Sequence, residues 1–131
     1  MTETLNVMGA PMIVRRDAGM FVAEQPVPPG YFVPPHRHDD EETFLVMDGE
    51  LTLIADGGET KAGPGTCRTF VPGELHGFRN DSGSTVKLLV IASPGVQLAE
   101  MFRHFDRAAT TAALAPADIM AIAAEHGVQF G

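Results

Sequence analysis

From Met20 to Ala92 apolar residues come in short runs or alternate with polar ones, and turn residues interrupt them at hairpin spacing. The pattern predicts strands at Met20–Glu24, Tyr31–His36, Thr43–Met47, Leu51–Ala55, Thr69–Val71, His76–Arg79 and Val86–Ala92. Asp48-Gly49 and Asp56-Gly57 tolerate positive φ and suit hairpin turns, while Pro64-Gly65, Pro72-Gly73 and Asn80 to Ser84 mark further reversals. Short strands so spaced point to an all-β sandwich or barrel of antiparallel strands.

After Pro94-Gly95 the period changes. Leu98, Met101, Phe102, Phe105 and Ala109 recur at three and four, as on one face of a helix over Val96–Ala109. A second helix is expected from Pro116, with Asp118 at its positive end and a narrow stripe of Ile119, Ile122 and Ala123, ending near Gly127. Isolated helices of this length are marginal in water. The chain therefore divides into a β body over 1–95 and a helical extension over 96–131 that packs on the body or on a partner subunit.

At 131 residues the chain suits one compact fold with a real core. Nine Lys and Arg against seventeen Asp and Glu leave a net charge of -8, which repels nucleic-acid phosphates and anionic lipid headgroups, so neither nucleic acid nor membrane is an expected partner. Cys67 is the single cysteine, so no intramolecular disulfide forms and a reducing compartment suits the chain. No apolar run is long enough to cross a bilayer, and Met1 to Leu5 lack the basic and apolar features of a secretion signal, so the expected location is cytoplasmic.

Candidate chemistry concentrates in Gly30 to Gly49 and Pro72 to Asn80. His36 and His38 are two apart, so on an extended strand both imidazoles share a face. Three residues of turn return Glu42 beside them at the start of the next strand, with Phe44 and Val46 inward on the same parity. His76 must cross from a distant strand, which a closed or sandwiched sheet allows. Three neutral imidazoles and one carboxylate suit a single divalent transition metal: iron, manganese, nickel, cobalt, copper or zinc. The acidic run Asp39 to Glu42 also admits a plain solvated loop, but Pro34-Pro35 stiffens the approach and a third His occupies a second strand-turn context. Asp39, Asp40 and Glu41 are expected to face solvent. Phe32, Phe44, Val46 and Phe78 share the ligand-facing parity and are expected to wall a substrate pocket.

These residues resemble the cupin superfamily. Its first motif is a Gly, five residues, His-x-His, three or four residues, Glu, six residues and Gly, on which Gly30, His36, His38, Glu42 and Gly49 fall. Its second is a Gly, five residues, Pro-x-Gly, two residues, His, three residues and Asn, matched by Gly65, Gly73, His76 and Asn80, with Val71 at the proline position. The resemblance implies a small β-barrel or jelly roll with a short helical extension and one metal near its mouth, held by His36, His38, Glu42 and His76. Short single-domain relatives resemble quercetin-dioxygenase-type proteins, so the leading expectation is a metal-dependent dioxygenase acting on a small enolic or phenolic substrate, with Glu42 as the catalytic proton acceptor. The alternatives are an isomerase or lyase of a small hydroxy or keto acid, and a non-catalytic small-molecule-binding module. A homodimer is also expected, because exposed strand edges and apolar helices call for cover.

The remaining residues read as structural. His104 and His126 lie on or beside the helices, Cys67 lacks a neighbouring His, and Tyr31 has the opposite parity to His36 and is expected outside the site. Arg68, Arg79, Arg103 and Arg107 are expected as surface charges.

Overall fold

Alternating burial along the chain sorts the strands into two antiparallel sheets in this computed structural model, which describes residues 2–131. In chain order the elements are β1 (Glu3–Val7), β2 (Ala10–Asp17), β3 (Phe21–Val27), β4 (Phe32–Arg37), β5 (Glu41–Asp48), β6 (Leu51–Ala55), β7 (Gly58–Ala62), β8 (Cys67–Phe70), β9 (His76–Arg79), β10 (Val86–Ser93), α1 (Val96–Ala108), α2 (Pro116–Glu125) and β11 (Gln129–Phe130). The larger sheet runs β1-β2-β3-β10-β5-β8 and the smaller runs β11-β4-β9-β6-β7. The fold is all-β, a jelly-roll barrel with a C-terminal helical segment.

Several elements escape the hydrophobic pattern. β1 and β2 form a hairpin whose turn, Met8-Gly9, has both residues at positive φ, a conformation that Asn-Gly usually signals and Met does not. β7 is exposed along Gly58 to Lys61 and carries no apolar alternation, and β11 is two residues long. Gly49 ends β5 at φ 88, where a Cβ would also sit 3.0 Å from Val86 Cγ2, so the hairpin into β6 requires glycine.

Burial divides into two clusters. One fills the barrel, with Val27, Val33, Phe44, Val46, Leu51, Phe70, Phe78 and Leu88 among its members. The other joins the β1–β2 hairpin and Phe21 to Leu98, Met101, Phe102 and Phe105 of α1 and Ile122 of α2. The helical segment thus packs on the barrel. Arg103 of α1 reinforces it by bonding both Glu3 and Asp17, a structural role rather than a free surface charge. No helix among the described residues is long and apolar enough to cross a membrane.

The inward parity expected for β4 fails at one place. Pairing with β9 runs Phe32 with Arg79 and Val33 with Phe78, then jumps to His36 with His76. The irregularity at Pro34-Pro35 inserts a residue and reverses the alternation, as a bulge does. Val33 and His36 therefore point inward while Phe32 is 50% exposed.

Candidate metal centre

β4 delivers His36, the turn after it delivers His38, β5 delivers Glu42 and β9 delivers His76. One ligand atom from each lies within 4.8 Å of all the others. All four side chains are buried. His38 is held from two sides, since its carbonyl accepts the Gly73 N–H at 2.9 Å and its ring Nδ1 lies 2.8 Å from the Asp40 carbonyl. The turn carrying Gly73 uses the N–H of Val71, which donates to Glu74 Oε1 at 3.1 Å, a bond that a proline there would lack. His76 stacks on Phe70 with ring centroids 4.2 Å apart, and Arg68 lies over the other ring partner at 4.6 Å.

The three imidazoles share one feature that tests their fitness for a metal. His36 Nδ1 lies 2.9 Å from the Pro34 carbonyl, His38 Nδ1 2.8 Å from the Asp40 carbonyl and His76 Nδ1 2.9 Å from the Glu74 carbonyl. A carbonyl only accepts, so each Nδ1 carries its hydrogen, and in a neutral ring each Nε2 presents a lone pair. Yet Glu42 Oε1 stands 3.2 Å from His38 Nε2 and 3.0 Å from His76 Nε2. Acceptors do not face one another at that distance in a buried site without a cation between them. A divalent metal meets that need, and the donor set suits one. Without it, protons must serve.

The ionisation behaviour agrees. Burial and the neighbouring His76 push His36 down to about 4, so it stays a neutral donor. Burial opposes charge on His38 as well, but its hydrogen bond and charge interaction with Glu42 win and hold it above the ordinary imidazole value. Burial would raise Glu42, and the hydrogen bonds from His38 and His76 overcome this and bring it down to about 2.

Beside the ligands lies a narrow apolar cavity between barrel and helical segment. His36 and Glu42 form its polar end, Phe44, Phe78, Val33 and Val90 its barrel wall, and Leu98, Met101, Phe102, Phe105 and Phe130 its opposite wall. Of the residues expected to wall a pocket, Phe44 and Phe78 do so. Phe32 faces solvent because of the bulge, and Val46, although inward, is packed in the barrel core away from the cavity. Tyr31, expected outside, lines it, with its hydroxyl donating to the Val7 carbonyl at 2.7 Å. Gln25 and the α1 residues were silent in the sequence as site residues; only the period-two parity of β3 marks Gln25 as inward.

Asp39 and Glu41 are exposed as expected, but Asp40 is not: it is 3% exposed and bonded to the start of α1. Asn80 is structural, pinning the turn into β10 through Val27 O and Ser84 O. His104 and His126 bond each other at 2.9 Å across α1 and the end of α2, away from the cavity lining.

A family profile described as Cupin domain matches residues 23–92, and the chain belongs to the cupin family. No curated protein matches the chain. Among solved structures it resembles a sugar phosphate isomerase of the cupin superfamily from Silicibacter pomeroyi, with 26% identity and a TM-score of 0.62 over 67% of this chain and 61% of that one. It also resembles the polyketide cyclase RemF from Streptomyces resistomycificus, with 32% identity and a TM-score of 0.54 over 57% of this chain and 54% of that one. A Cupin 2 conserved barrel domain protein from Salinispora arenicola shares the fold at 17% identity and a TM-score of 0.62, over 78% and 89% of the two chains. This chain spans less than two thirds of the lengths of the first two.

Proposed function

We propose that this cupin is a metal-dependent enzyme acting on a small, largely apolar molecule that presents an enol or phenol oxygen, with dioxygenation as the leading reaction. The observation that carries the reading is a buried three-imidazole, one-carboxylate cluster opening onto a cavity walled by Phe, Val, Leu and Met side chains, with no Lys or Arg in its lining among the described residues. His36, His38, Glu42 and His76 would hold the metal. When bound, such a metal lowers the pKa of a coordinating oxygen and polarises the carbon framework attached to it.

The chain supplies the rest. Phe44, Phe78 and the α1 side chains exclude water and favour an apolar body. Glu42, the one carboxylate among the cavity's lining residues, is assigned the role of accepting a proton from the substrate oxygen in this reading. The absence of a cationic wall residue disfavours phosphorylated or polyanionic substrates. Size is a further restriction. The cavity holds about 40 Å³, room for a few waters, whereas about 150 Å³ accommodates benzene. Even a single phenol ring, and still more a flavonol, would require the α1 wall to move.

The similarity to a polyketide cyclase and a sugar phosphate isomerase favours a second reading, in which the same site isomerises or cyclises its substrate without oxygen. Oxygen-electrode measurements separate the two. Protein loaded in turn with iron, manganese, nickel, cobalt, copper or zinc is offered small enols and phenols, and oxygen uptake matched to product is expected. Turnover that proceeds unchanged under argon would replace dioxygenation with the second reading. A retained metabolite with no turnover would make the chain a binding module.

A further inference from the structure

Asp40 is buried at 3% exposure in an acidic run, yet no cation pairs with it among the described residues. Its carboxylate instead accepts two main-chain N–H groups at the start of α1, Gly95 N on Oδ1 and Leu98 N on Oδ2, each at 3.0 Å. These are N–H groups that a helix leaves without partners, and a carboxylate there also meets the favourable end of the helix dipole. The same residue's carbonyl receives His38 Nδ1–H at 2.8 Å. Gln97 of α1 closes the arrangement: its Oε1 accepts Asp39 N at 2.8 Å, and its Nε2 donates to the His126 carbonyl at 2.7 Å. The loop that orients one ligand is thus fastened to the helix through Asp39 and Asp40, as well as to the turn carrying Gly73 through the His38 carbonyl.

We propose that Asp40 is a positioning residue for His38, through which the N-terminal turn of α1 sets the direction of a metal ligand. The proposal rests on the metal-site reading above. Two roles join in one residue: the side chain fixes the loop to α1, and the carbonyl so fixed determines the tautomer and tilt of the His38 ring. The helical segment is therefore part of the metal site without contributing a ligand. Charge loss alone is a competing cause, so the control must remove a neighbouring charge that makes no such bond. Glu41 is exposed and serves.

The test uses the full chain as wild type, Asp40→Ala, Gln97→Ala and Glu41→Gln. Cobalt(II) titration reads affinity and the visible absorption of the site, and nitrogen–proton correlation spectra of the histidine rings in metal-free protein read the His38 tautomer. Asp40→Ala and Gln97→Ala are expected to weaken cobalt(II) binding about tenfold or more and to shift the visible bands, as loss of a ligand's orienting partner does. Both should also broaden or move the His38 Nδ1–H signal, while Glu41→Gln changes neither readout. Wild-type affinity and ring spectra in both variants would overturn the proposal, as would an equal loss in Glu41→Gln. If Asp40→Ala fails to fold, Gln97→Ala decides alone, since it alters no charge. If wild type binds no cobalt(II), the metal reading fails, and the His38 ring spectra still decide the positioning role.

Discussion

Gly77 of β9 lies against the bulge of β4, and replacing it with alanine tests whether that bulge sets the site. A Cβ on Gly77 would stand 2.5 Å from Val33 O and 2.9 Å from both Pro34 C and Pro35 N. All three are main-chain atoms, so no side chain can rotate out of the way. A carbon–oxygen contact relaxes to about 3.3 Å, so the two strands must part by roughly 0.8 Å. Overpacking of this kind costs about 1–3 kcal/mol. The displacement falls between His76, next to Gly77, and His36, next to Pro35, and metal sites hold their ligand distances to within about 0.2 Å. Stability and metal affinity should therefore drop together, measured by urea unfolding of metal-free protein and by cobalt(II) titration. Gly58→Ala, where an added methyl meets nothing within 4 Å, is the control and should stay within about 0.5 kcal/mol of wild type. If Gly77→Ala matched that control in both measurements, the bulge would not determine the relation of His36 to His76.

Other outcomes follow from the same geometry. Glu42→Gln should retain part of the metal on three imidazoles while abolishing substrate-dependent oxygen uptake; full uptake would exclude Glu42 as proton acceptor. Because Glu42 holds His38 above the ordinary imidazole value while His36 is already neutral down to about 4, metal binding near pH 6 should release the His38 proton. Calorimetry in buffers of different ionisation heat reads this, and zero release would refute the pairing. Glu42 is depressed to about 2 on folding, so its stabilisation of the metal-free protein is complete above the ordinary carboxylate range and is lost as pH falls through that range toward 2. Acid unfolding of Glu42→Gln should lack this component. Phe32→Ser, which gives up about half of a Phe side chain's burial, should cost about 1 kcal/mol, whereas Phe78→Ala should cost about 3–5 kcal/mol, as read by thermal or urea unfolding.

Local periodicity carried much of the design. Two histidines two apart, a carboxylate one turn later and Phe44 two beyond it are related by the alternation of a single chain segment, and β5 preserves that alternation from Glu42 through Val46. Helix α1 was likewise legible from apolar residues at three and four, and α2 from Pro116. These features depend on neighbours in sequence, which is why the amino acids alone determine them.

What the sequence could not determine depends on segments far apart in the chain. Phe32 was misplaced because a two-proline bulge breaks the parity that the prediction carried through it, and the bulge is visible only in the pairing with β9. Asp40 looked like one more solvated acid until Gly95 and Leu98, more than fifty residues on, donated to its carboxylate. The cavity itself has walls from β1, the barrel and α1, so its apolar character, its size and the inclusion of Tyr31 were decided by tertiary packing. A strand's period dictates which side chains share a face, but what lies against that face is set by contacts that no short window of sequence contains.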